Sequence, residues 1–197
     1  MKKIGVYVGS FNPVHKGHIR IARRCLEEKL VDEVMIIATG NYWQKNDLLP
    51  LEKRIEMLEL VKEEGMIIDH RYNEYPYTHQ IFEQLEKDYA DASFSLIIGA
   101  DNLPRFKEWQ EYQFLLKYDF LVVRRKGTDI EENMSRLNKT NYTILDLEEI
   151  PISSTYIRDH LDDYEDVKEM LDRRVYDCLK GESGHATRDH EETSFTG

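Results

Sequence analysis

No stretch of the chain holds the roughly eighteen consecutive apolar residues that a membrane-crossing helix needs. The opening "MKKIGVYVGS" also lacks the long apolar core of a secretory leader. A soluble protein of the cytoplasm with no membrane partner is therefore expected. Only two cysteines occur, Cys25 and Cys178, with no CxxC spacing and no Cys/His cluster around them. That argues against a structural zinc site and points to buried free thiols. Positive charge is also short: 27 Lys and Arg against 38 Asp and Glu leave a net charge of −11. Such a balance disfavours nucleic-acid binding by phosphate neutralisation, while an anionic small molecule needs only a locally positive pocket. No Pro/Gly-rich linker and no internal repeat divides the chain. Residues 1–181 therefore read as one domain, and the polar, aperiodic 182–197 as a tail expected to be disordered.

What is present is an alternation of two periods. Short β-type runs occur at 4–8, 33–39, 66–70, 94–100, 118–125 and 142–147, several of them continuously apolar, as in strands covered on both faces. Between them, Ile19, Ala22, Leu26 and Leu30, then Ile55, Leu58 and Val61, then Ile81, Phe82 and Leu85 fall at helical spacing. The βαβα order predicts an α/β fold: a Rossmann-like, doubly wound, mostly parallel sheet with helices on both faces. A last helix is predicted over "YEDVKEMLDRRVYDCLKG", closing at Gly181.

The segment "GSFNPVHKGH" (Gly9 to His18) follows the first strand. Pro13 cannot sit inside a helix, so Gly9 to Val14 read as a strand-to-helix loop and the histidines fall on the opening turn. In an open parallel sheet that loop is the usual phosphate site, because the helix N-terminus offers free N–H groups and partial positive charge. His15 and His18, three apart, share a face and can add donors, and Gly17 is expected to keep the approach clear. The segment matches neither the Walker loop nor the GxGxxG fingerprint. On its own it reads first as an ordinary βα turn with solvated histidines.

A second segment, "ISSTYIRDHL" (152–161), supplies three hydroxyls and then Arg158, three residues after Thr155. Alone it is an N-cap with a solvated arginine. Together, HKGH and ISSTYIR resemble the signature pair of the nucleotidylyltransferase superfamily. The resemblance covers about residues 1–180 and is nearest to its bacterial nicotinate-nucleotide adenylyltransferase branch. That branch's GxFxPxHxGH opening is matched by "GSFNPVHKGH". Its Lys followed by Arg-x-x-Met is matched by Lys45 and "RIEM" (54–57), its Tyr-Thr turn by "YPYTH" (75–79), and its Gly-Ala-Asp turn with a following Trp by "GADNLPRFKEW" (99–109). The loop "NYWQKND" departs from the pattern, with Gln44 in a His position and Trp43 in a Pro position.

The resemblance implies transfer of AMP from ATP to nicotinate mononucleotide, with Mg2+ entering with ATP and no side chain assigned to a metal. It implies catalytic roles for His15, His18, Lys45 and Arg158. ATP would be bound by Gly9, Ser10, Phe11, His15, His18, Gly99, Asp101, Ser154, Thr155 and Arg158. The mononucleotide would meet Asn12, Lys45, Thr78 and Trp109, with the tryptophan stacked on the pyridine ring and Thr78 near its carboxyl group. The other reading of Trp109, in "FKEWQEYQFLL", is a partly buried core aromatic. Three alternatives stay open: nicotinamide mononucleotide as acceptor, another phosphorylated acceptor such as phosphopantetheine, or a non-catalytic nucleotide-binding regulator. The resemblance leaves room for a homo-oligomer.

Overall fold

The computed structural model describes residues 1–41 and 47–181; the tail 182–197 and Lys45 lie outside them. Six strands, β1 (Lys2–Gly9), β2 (Glu33–Ala38), β3 (Met66–Ile68), β4 (Ala92–Gly99), β5 (Asp119–Val123) and β6 (Tyr142–Ile144), form one sheet in the order β3-β2-β1-β4-β5-β6. Every pairing is parallel, with Tyr7 opposite Ile36 on β2 and Ile97 on β4. The order runs outward from β1 in one direction and from β4 in the other. Their C-terminal ends, Gly9 and Gly99, therefore flank the point where the topology reverses and a crevice opens.

The helices are α1 (Lys16–Glu27), α2 (Leu51–Val61), α3 (Thr78–Asp88), α4 (Tyr112–Leu115), α5 (Ile130–Arg136), α6 (Ser154–Asp159) and α7 (Arg173–Leu179). Side chains alternate across each strand, so β1 feeds two cores. Ile4 and Val6 pack with Phe82, Leu85, Phe106 and Phe120 on one face, while Tyr7 lies against the cluster of Ile21, Ala22, Cys25, Leu58 and Val175 on the other. Helix α1 buries Ile19, Ala22 and Cys25 at helical spacing. It ends where Lys29 turns left-handed (φ 59°) and the Leu30 N–H reaches back to the Cys25 carbonyl at 3.1 Å. Both cysteines are buried and free.

The C-terminal helical stretch is corrected. Residues 164–181 are not one helix: a short 3-10 turn, Tyr164–Asp166, precedes α7. Asp172 is extended (ψ 138°) and its carboxylate accepts from the Arg174 N–H, starting a new helix. Val167 and Leu171 remain buried, so the apolar spacing is real although the helix is interrupted. Gly181 does close the stretch in a left-handed conformation (φ 74°). Among the described residues no helix is long and apolar enough to cross a membrane.

Candidate active site

His15 is the N-cap of α1 and His18 its third residue, and they form a capping box made of imidazoles. Nδ1 of His15 accepts from the Gly17 N–H at 3.0 Å and the His18 N–H at 3.4 Å, while Nδ1 of His18 accepts from the His15 N–H at 3.0 Å. A ring nitrogen that accepts from an amide is unprotonated, so each neutral ring carries its proton on Nε2. The rings stack with centroids 3.7 Å apart. Burial, and then the charge of Arg125, push His15 down to about 4. Burial, then His15, then Arg125 hold His18 well below the usual imidazole range. At neutral pH the pair is thus two uncharged Nε2–H donors at a helix N-terminus. A Cβ on Gly17 would lie 2.8 Å from Cε1 of His15 and 3.0 Å from Ile150, so this glycine makes room for the capping ring.

The loop between β1 and α1 is held from three sides. Phe11, buried and left-handed (φ 46°), sets its ring edge-on to His18 at 4.8 Å. Asn12 is also buried, and both ends of its amide serve the neighbouring loop: Nδ2 donates to the Asp47 carbonyl at 2.7 Å and Oδ1 accepts from the Leu49 N–H at 3.0 Å. Arg54, fully buried, donates to the carbonyls of Leu49 (2.8 Å) and Ser10 (2.9 Å) and to Oδ1 of Asn41 (3.1 Å).

From the third side comes the turn before α6, where Ser153 caps the helix. Ser154 Oγ donates to the Pro13 carbonyl at 3.0 Å. Arg158 donates to the Asn12 carbonyl at 2.7 Å, to the Asp47 carboxylate at 2.9 Å and to Thr155 Oγ1 at 3.4 Å. The two sequence segments, 141 residues apart at Pro13 and Ser154, are thus in direct contact.

A cleft of about 480 Å³ opens at the topological reversal, lined by Tyr7, Gly9, Ser10, Phe11 and His18 on one side and by Thr78, Gly99, Asp101, Trp109 and Arg125 on the other. Eight of the residues singled out from sequence line it: Gly9, Ser10, Phe11, His18, Thr78, Gly99, Asp101 and Trp109. His15 stands behind His18, while Asn12, Ser154, Thr155 and Arg158 flank the loop rather than line the cleft. Trp109 packs on Phe106 (4.7 Å) and also borders a hollow of about 250 Å³ with Tyr77, Thr78, Glu108 and Gln110. It is therefore part core and part wall.

Arg125 is the residue that sequence reasoning missed. It pairs with Asp101 at 3.5 Å across Gly99, where a Cβ would lie 2.7 Å from the Asp101 carboxylate and 3.5 Å from the guanidinium. The available signal was the basic pair "RR" that closes the fifth β-type run, at the strand end where parallel sheets bind ligands.

Comparison with known proteins agrees in extent with this geometry. Residues 6–160 match the cytidylyltransferase-like family profile. A protein of Fusobacterium nucleatum named "Probable nicotinate-nucleotide adenylyltransferase" is 33% identical over 189 residues, 91% of this chain and 98% of that one. One of the same name from Flavobacterium johnsoniae is 29% identical over 184 residues, covering 90% and 95%. The solved structure of Plasmodium falciparum nicotinic acid mononucleotide adenylyltransferase complexed with NaAD superposes with a TM-score of 0.78 at 19% identity, over 91% of this chain and 95% of that one, and so shares the fold.

Proposed function

Because this chain belongs to the cytidylyltransferase-like family, we propose that it is a nucleotidyltransferase that moves the adenylyl group of ATP onto the phosphate of nicotinate mononucleotide, as the names of its relatives suggest. The observation that carries the reading is one cleft with two unlike ends. At one end His18 presents a neutral donor at a helix N-terminus; at the other, Trp109 and Thr78 offer an aromatic face and a polar edge. Thr78 opens α3, where the partial positive charge of the helix favours a carboxylate over a neutral amide.

The chemistry requires no covalent intermediate with the protein. An oxygen of the mononucleotide phosphate attacks the α-phosphorus of ATP. The new P–O bond forms as the bond to the β-bridging oxygen breaks, and pyrophosphate leaves with the electron pair. Catalysis is then positioning and charge stabilisation. His18, seconded by His15, donates to the phosphate oxygens as charge builds. The backbone of Gly9, Ser10 and Phe11 takes the adenosine side, and Asp101 beside Gly99 accepts from ribose hydroxyls. Ser154, Thr155 and the Arg158 fork hold the departing pyrophosphate. Among the described residues no group of three or more His, Cys, Asp or Glu side chains could hold a metal ion. Mg2+ would enter with ATP, held by its phosphates, and would neutralise their charge.

Two substitutions test the mononucleotide and pyrophosphate contacts. Trp109→Ala is expected to raise KM for the mononucleotide about ten-fold and KM for ATP less than about two-fold, as loss of one stacking face predicts; equal rises in both would remove the stacking role. Asp47→Ala frees Nη2 of Arg158 from its carboxylate partner. Because Asp47 is largely exposed, the pair is worth under about 1 kcal/mol, and pyrophosphate is expected to inhibit the variant at up to about five-fold lower concentration. Unchanged inhibition would take Arg158 out of the pyrophosphate site. The direct test of the reading is mass analysis of the product formed from ATP and nicotinate mononucleotide, with the dinucleotide expected and free AMP contradicting it.

A further inference from the structure

Tyr7 forms the floor of the cleft with Phe11 and His18. It lies on the α1 side of β1 between Gly5 and Gly9, and its ring stands edge-on to Phe11 at 5.2 Å and to His18 at 6.2 Å. Gly9 permits this: a Cβ there would lie 3.3 Å from the Phe11 ring that holds Tyr7 in place. Phenylalanine would supply all of that packing. The phenol adds a hydroxyl that has no hydrogen-bond partner among the described residues, although the side chain is partly buried and lines the cleft. A tyrosine hydroxyl in such a place ordinarily finds a partner, and here the open side is the ligand's.

The surroundings select the partner. Arg125 lines the same cleft as Tyr7 and His18, and its positive charge acts on Tyr7, His15 and His18. Nε2–H of His18 is a donor. Burial pushes the Tyr7 phenol above its ordinary range, so it too remains an O–H donor. Donors converging beside a cation suit a phosphate oxygen.

We infer that Tyr7 is a further catalytic residue whose hydroxyl donates a hydrogen bond to a non-bridging oxygen of the ATP α-phosphate, beside His18. The inference rests on the adenylyl-transfer reading above and deepens it.

Tyr7→Phe removes the oxygen and keeps the ring. Both proteins are assayed for pyrophosphate release with nicotinate mononucleotide and ATP, and with the two diastereomers of ATP carrying sulfur on the α-phosphorus. The loss of one hydrogen bond to a charged group is expected to lower kcat/KM for ATP about ten-fold, with the thermal midpoint moved by less than about 2 °C. The unaltered protein is expected to prefer one diastereomer, and that preference shrinks in the variant, because sulfur then replaces an oxygen that no longer has its donor. Unchanged kcat/KM, or a loss with the diastereomer preference intact, overturns the contact. If the unaltered protein turns over no mononucleotide, the transfer reading fails, and calorimetry with ATP alone decides Tyr7. Binding about ten-fold weaker in Tyr7→Phe upholds the contact, and equal binding overturns it.

Discussion

Replacing His18 by Ala lowers kcat by on the order of 10²-fold or more, the effect of deleting a transition-state donor. The structure also says what else the change does. Nδ1 of His18 accepts the His15 N–H, so alanine leaves that amide without its cap and costs about 1 kcal/mol. His18→Gln separates the two roles. Its side-chain oxygen can close the capping box and restore stability, but it does not place a donor where Nε2–H stands, so the rate stays low. A near-normal kcat in either variant would remove His18 from the chemistry. The same geometry has a pH signature. Both imidazoles are held below their ordinary value, His15 at about 4, so they bind fewer protons in the folded chain than in the unfolded one. Their contribution to stability is fully present above the ordinary imidazole pKa of about 6.5 and is lost as pH falls from there toward the folded values. In histidine NMR both rings are expected to be in the neutral Nε2–H form at about pH 6.5, with His15 taking a proton only as pH nears about 4; titration of either near 6.5 would contradict the donor assignment.

Arg54→Met is expected to cost about 3 kcal/mol, because the carbonyls of Ser10 and Leu49 lose a charged donor and methionine returns only apolar contact. For a chain of this size that is a fall of roughly 10 °C in the unfolding midpoint. Activity falls with it, since Arg54 joins the loop carrying Ser10 to the segment carrying Asn41 and Leu49. Arg54→Lys should lie between the two, because an ammonium cannot span three acceptors that a planar fork reaches. A midpoint within about 2 °C of the unaltered protein would show that Arg54 is not the anchor.

The legible part of this protein was whatever a local period or a short motif could carry. Short β-type runs, several of them continuously apolar, named all six strands, and a ligand loop after the first strand followed from the βαβα order. The HKGH and ISSTYIR segments were each ambiguous alone and specific as a pair, and the bond from Arg158 to the Asn12 carbonyl shows why they go together. What escaped was set by contacts distant in sequence. Arg54 belongs to the Arg-x-x-Met match, but nothing in the helix pattern reports that it will be fully buried. Arg125 meets Asp101 only because β4 and β5 are neighbours and Gly99 leaves the space. The break before α7 depends on the carboxylate of Asp172 capping a new turn, which competes with an unbroken apolar period on either side. That Gly17 makes room for the His15 ring is a contact its residue type alone does not report.

The central claim, adenylyl transfer to an acidic mononucleotide in the cleft between His18 and Trp109, is tested most directly by measuring pyrophosphate release from ATP and Mg2+ with nicotinate mononucleotide and nicotinamide mononucleotide in parallel. Turnover with a strong preference for the acid is the result this account predicts. Preference for the amide, or no release with either, would contradict it and turn attention to other phosphorylated acceptors.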